Sequence, residues 1–102
     1  MAQFDVYRNA RRGPFPLLLD VQADLLDRIA TRVVVPLMTT KRYGARPISR
    51  LNPTATIGGV EYVLVFQELA AIPAAVLRTR VDSLAPRRTE LVAALDLLFA
   101  GI

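Results

Sequence analysis

The stretch "TATIGGVEYVLVF", residues 54–66, constrains the fold more tightly than any other part of the chain. Two β-prone runs flank Gly58-Gly59. A two-residue loop that accepts positive φ matches the twist of antiparallel strands and closes a hairpin. With one antiparallel pair in place, the remaining apolar runs are read for partners in the same sheet. "QFDVY" (3–7) alternates, with Phe4 and Val6 on one side and Gln3, Asp5 and Tyr7 on the other. "RNARRGPFP" (8–16) breaks the pattern with Gly and two Pro and reads as a loop. "LLLDV" (17–21) and "RVVVPLM" (32–38) are short Leu/Val runs suited to buried strands. Pro36 cannot donate to a ladder, which places that end at a sheet edge or a bulge. "QADLLDRIA" (22–30) reads as a turn or one helical turn. "KRYGARPISRLNP" (41–53) reads as a basic loop with a little helix, "ELAAIP" (68–73) as a connection and "AAVLRTRV" (74–81) as a last strand.

The chain then turns helical. Asp82 and Ser83 offer caps, and Pro86 is tolerated in a first turn. On a helix over 87–102, Leu91, Leu95, Leu98 and Ile102 share one face with Phe99 beside it. Thr89, Ala93, Asp96 and Ala100 share the opposite face, so Asp96 points away from the core. The fold class expected is mostly β with a C-terminal α-helix, in a single domain over residues 1–102.

Composition narrows the chemistry. Cysteine and histidine are both absent. That removes the commonest zinc ligands, Ser-His and Cys-His nucleophile pairs and the commonest general base. No spacing suggests a metal site or cofactor, and Gly58-Gly59 is a turn rather than a phosphate loop. Asp20, Asp24 and Asp27 lie close together, but three acids beside a turn are read as caps and ion pairs. The net charge is +4, with 13 basic side chains of which Lys41 is the single lysine. An acidic partner suits such a surface. Lys41, Arg42, Arg46 and Arg50 form one basic group and Arg11 with Arg12 a second, each read first as a solvated loop and second as a site for an acidic peptide or phosphates. No apolar run is long enough to span a bilayer, and "MAQFDVYRNARR" has no signal-peptide core, so a cytoplasmic protein is expected.

The segments "FDVY" (4–7), "LLLDVQADLLD" (17–27), "RVVVPL" (32–37), "TIGGVEY" (56–62), "ELAAIP" (68–73) and "LLFAGI" (97–102) together resemble the CcdB toxin family. Their order and spacing run along nearly the whole chain. The resemblance implies an SH3-like barrel with a small extra sheet and a C-terminal helix at a homodimer interface. It implies a non-enzymatic toxin that binds the A subunit of DNA gyrase and traps the enzyme on cleaved DNA. It implies a cognate antitoxin whose acidic disordered tail neutralises the toxin, and operator DNA bound only together with that antitoxin. No cofactor is implied.

Carried over position by position, the gyrase contacts correspond to Leu25, Leu26, Asp96, Ala100, Gly101 and Ile102. Arg11, Arg12, Arg42 and Arg46 are the candidates for the antitoxin. Two positions depart from the family: an asparagine becomes Asp96 and a tryptophan becomes Ala100. Truncating a tryptophan anchor costs about 2–4 kcal/mol, or roughly 30- to 1,000-fold in affinity. Three other readings stand beside gyrase poisoning. One is a toxin fold that keeps its antitoxin but has lost or changed its target. Another is a MazF-like ribonuclease on a similar scaffold. The last is a plain binding domain.

Overall fold

The computed structural model describes residues 2–26 and 28–102. Strands β1 (Asp5–Arg8), β2 (Leu17–Asp20), β3 (Thr31–Thr39), β4 (Thr54–Ile57), β5 (Val60–Leu64), β6 (Ala70–Pro73) and β7 (Arg80–Ser83) build one curled, antiparallel half-barrel. The strand order is β4-β5-β3-β2-β1-β7, with β6 also on β3. At the first hairpin identified, Gly58 and Gly59 hold φ of 58° and 80°, and Ile57 faces Val60. Both central residues are left-handed, as a type I′ turn demands.

β3 organises the sheet. One edge pairs with β2 from Leu17↔Leu37 to Asp20↔Val34. The other edge is shared: β5 takes Leu37 to Thr39 and β6 takes Thr31 to Val34. The smaller sheet expected beside the barrel is thus continuous with it through β3. Pro36 sits where the partner changes, and its carbonyl accepts the Val65 N–H at 3.0 Å. The N and O of a strand residue face the same edge, so its missing donor faces the gap between β5 and β6. The interruption expected at Pro36 therefore lies inside a central strand and not at a sheet edge.

Two local readings change for the same reason. Residues 70–73, expected as a connection, pair as β6 because the first half of β3 has backbone groups to satisfy. Residues 74–81, expected as a strand, begin with a 3-10 turn at Ala74–Val76 and extend only from Arg80. The strand expected to run to Phe66 stops at Leu64, where the turn Phe66–Glu68 carries the chain from the β5 lane to the β6 lane.

The helix closes the main core. A 3-10 turn, Ala85–Arg87, leads into α2 (Arg88–Ala100), after the single turn α1 (Thr40–Tyr43) earlier in the chain. Ser83 Oγ accepts the Ala85 N–H at 3.2 Å, whereas Asp82 stays in β7 and accepts from Ser83. Leu91 and Ala94 are fully buried against Phe4, Val6, Leu19 and Leu37, with Val92 and Leu95 partly buried. The expected stripe fails at its far end: Phe99 is 70% and Ile102 77% exposed. In the last helical turn Leu97 and Leu98 stay partly buried, while Phe99 and Ala100 face solvent. Gly101, at φ 73°, ends α2 with its N–H on the Leu97 carbonyl at 3.1 Å. A second, smaller cluster of Tyr7, Leu18, Val34 and Leu77 packs on the other face of the sheet. Among the described residues, no helix is long and apolar enough to cross a membrane.

Candidate functional site

Leu25 and Leu26 lie on a 3-10 turn, Asp24–Leu26, and are 95% and 47% exposed. This turn is held from beneath by Gln22, which is buried. Its Nε2 donates to the Leu26 carbonyl at 2.9 Å and its Oε1 accepts the Val33 N–H at 3.0 Å. The turn is also tied to the start of α2. Asp24 accepts the Gln3 N–H at 2.7 Å, and Arg88 Nη1 donates to Gln3 Oε1 at 2.7 Å. The Arg88 guanidinium lies 5.6 Å over the Phe4 ring. That cation–π contact fixes its direction.

Asp96 and Ala100 are exposed on α2, and Gly101 and Ile102 follow it. Arg50 Nη2 donates to the Ile102 backbone oxygen at 3.1 Å. A helix of 13 residues is about 20 Å long. Leu25 and Leu26 therefore sit by one end of α2, and Gly101 and Ile102 by the other. Within one chain the six residues do not form a single patch.

Arg11, Arg12, Arg42 and Arg46 are all exposed. They gather at one end of the sheet, because Arg8 pairs with Leu17 and Leu17 with Leu37. The loop before Leu17 and α1 after Thr39 leave from that same end. So does the Gly58-Gly59 tip, since Thr39 pairs with Tyr62. An open cleft of 250 Å³ lies here, lined chiefly by Arg8, Leu17, Ile57, Val60, Tyr62 and Val81. Sequence reasoning missed Asn52, the residue that braces this basic loop. It is 4% exposed. It donates to the Leu64 carbonyl at 3.1 Å and to Gln67 at 2.7 Å, and accepts from the Ile48 N–H at 3.0 Å. No spacing in "RLNP" announces this role.

The second face of the sheet holds a buried polar cluster. Asp20 and Arg32 are 0% and 1% exposed and form an ion pair. Arg32 Nε donates to Asp20 at 3.1 Å, and the Gln22 N–H donates to its other oxygen at 3.0 Å. Arg32 Nη1 has no partner within the described residues. Burial pushes the Asp20 carboxyl above its ordinary value, against the opposing pull of Arg32 and the Gln22 N–H. Asp5 pairs with Arg80 at 3.1 Å beside buried Tyr7. The ion-pair reading of the acids holds for Asp20, while Asp24 accepts from a backbone N–H. Asp27 lies outside the described residues. The partner Arg32 was legible only as an arginine inside a Val run, two residues before the Val34 that faces Asp20.

A protein-family model, described as CcdB protein, matches residues 3–101. The chain belongs to the CcdB family. Membership makes it a toxin of a toxin–antitoxin module. Against the CcdB pattern the two departures, Asp96 and Ala100, fall on the same exposed side of α2. The CcdB-like fold is otherwise carried by side chains that are buried here, from Phe4 to Leu91.

Proposed function

We propose that this chain is a gyrase-poisoning toxin that acts by binding and not by catalysis. In this reading a homodimer binds the DNA gyrase A subunit and traps the gyrase–DNA cleavage complex in the cytoplasm. Leu25, Leu26, Asp96, Ala100, Gly101 and Ile102 contact gyrase. A cognate antitoxin lays its acidic disordered tail across Arg11, Arg12, Arg42 and Arg46, and the two together bind operator DNA. The observation that carries the reading is the set of large apolar side chains left in solvent on a family scaffold: Leu25, Phe99 and Ile102 at 95%, 70% and 77% exposure. Phe99 and Ile102 lie three residues apart at the end of α2, and neighbouring exposed apolar groups support an interaction surface there, with Leu25 as a separate exposed apolar residue.

The ribonuclease alternative has less support. The Asp5, Tyr7, Asp20 and Arg32 group that offers acid, hydroxyl and guanidinium is buried beyond a substrate's reach. A changed target is favoured by one feature, the loss of the aromatic anchor at Ala100.

A DNA-cleavage assay separates these readings. Wild-type protein and Ala100→Trp are each incubated with gyrase from the host, ATP and supercoiled plasmid. Linear DNA with wild type supports gyrase poisoning through the residues present. Linear DNA only with Ala100→Trp points to a toxin that keeps the fold but has moved to another target. No linear DNA with either overturns the gyrase reading.

A further inference from the structure

Arg50 stands in a backbone conformation that its residue type rarely adopts. Its φ is 68°, in the left-handed region that favours glycine. The turn around it enforces that angle. The Asn52 N–H donates to the Ile48 carbonyl at 2.8 Å, and the Ile48 N–H donates to Asn52 Oδ1 at 3.0 Å. Asn52 is buried and Leu51 packs against the main core, so the turn is pinned from below while Arg50 projects into solvent. Glycine would close the same turn without strain. An arginine that keeps the strained angle points to a use for its side chain.

That side chain reaches past the end of α2. Its Nη2 donates to the Ile102 backbone oxygen at 3.1 Å, 52 residues along the chain. The last turn of α2 holds no basic residue, so none of its own side chains answers the partial negative charge at that helix end. Arg50 brings the missing cation from the turn before β4. The contact is made to the main chain alone, and the Ile102 side chain stays 77% exposed. A tail held by its backbone, with its apolar side chain left free, is ordered before any partner arrives, which lowers the entropy cost of binding. We propose that Arg50 is a positioning residue: it tethers the Gly101-Ile102 tail beyond α2 and presents the Ile102 side chain already ordered to the target. The role at the target rests on the gyrase reading above, whereas the tether does not.

The test is Arg50→Gly on the full chain, which removes the guanidinium and suits the left-handed angle. Three quantities are measured: the urea midpoint, the heteronuclear amide NOE at Gly101 and Ile102, and the affinity for purified gyrase A subunit. The midpoint should match or exceed that of wild type, because relief of strain offsets the lost contact. The NOE at Ile102 should fall toward that of a free chain end. Affinity for the A subunit should weaken about three- to tenfold, because ordering the tail then falls on the binding step. A residue kept only for stability would lower the midpoint and leave the tail as it was, and that result overturns the inference. A tail that loosens with no change in affinity overturns the positioning role while the gyrase reading stands. A wild type that fails to bind the A subunit overturns the gyrase reading and the role at that target together, and the NOE still decides whether Arg50 holds the tail.

Discussion

Replacing Arg32 by Met tests the buried ion pair that joins β2 to β3. The Asp20 carboxylate is fully enclosed and receives its hydrogen bonds from Arg32 Nε, Arg32 Nη2 and the Gln22 N–H. Arg32→Met removes the first two and the cation paired with Asp20 among the described residues. An uncompensated buried charge of this kind costs about 3–5 kcal/mol. A domain of this size is stable by roughly 5–15 kcal/mol, so the loss is a large share of the total. The melting temperature should fall by about 12 °C or more. Asp20→Asn combined with Arg32→Met should cost less than the sum of the single changes, because the double variant buries no charge. A coupling of about 2 kcal/mol is expected for groups in direct contact. Arg32 Nη1, without a partner among the described residues, offsets part of the cost of Arg32→Met, and this term is common to the single and double variants and so cancels from their coupling. Urea unfolding of the four proteins completes the cycle. A cost for Arg32→Met below about 1 kcal/mol, or strict additivity of the two changes, would refute the account.

Two further outcomes follow from the same structure. Burial first, then Asp5 and Asp20, raise the Tyr7 hydroxyl above its ordinary 10.0, against the opposing pull of Arg32 and Arg80. The unfolded chain loses this proton first, so Tyr7 contributes stability that is fully present below about pH 10 and lost as pH rises through the raised folded value. Urea midpoints should therefore drop on the alkaline side, and Tyr7→Phe should flatten that slope; an unchanged slope sinks the assignment. Asn52→Ala should cost about 2 kcal/mol and loosen the basic loop, because it leaves Ile48 N–H and the Leu64 carbonyl without their partner. Amide exchange at Ile48 should accelerate while Leu19 in β2 stays protected, and equal protection in the variant contradicts the bracing role.

The sequence by itself determined what depends on near neighbours. The Gly58-Gly59 turn needs only two residues that tolerate positive φ, and both take it. The alternation in "QFDVY" sends Phe4 and Val6 to the main core and Tyr7 to the opposite cluster, because side-chain direction has period two. The start of α2 and its Leu91 contact follow from a helical period, and Asp96 points outward as the same period requires. Tertiary structure decided what depends on distant edges. Whether 70–73 or 74–78 became a strand turned on where β3 and β1 had unpaired backbone, which no local pattern records. The helical period cannot show where the sheet beneath α2 ends, so Phe99 and Ile102 came out exposed. Arg32 met Asp20, and Asn52 met Leu64 and Gln67, across separations that only the folded chain closes. The candidate target surface is divided in the same way. Its residues are readable in the sequence, yet Leu25 and Ile102 lie at opposite ends of a helix whose length the fold spends keeping them apart.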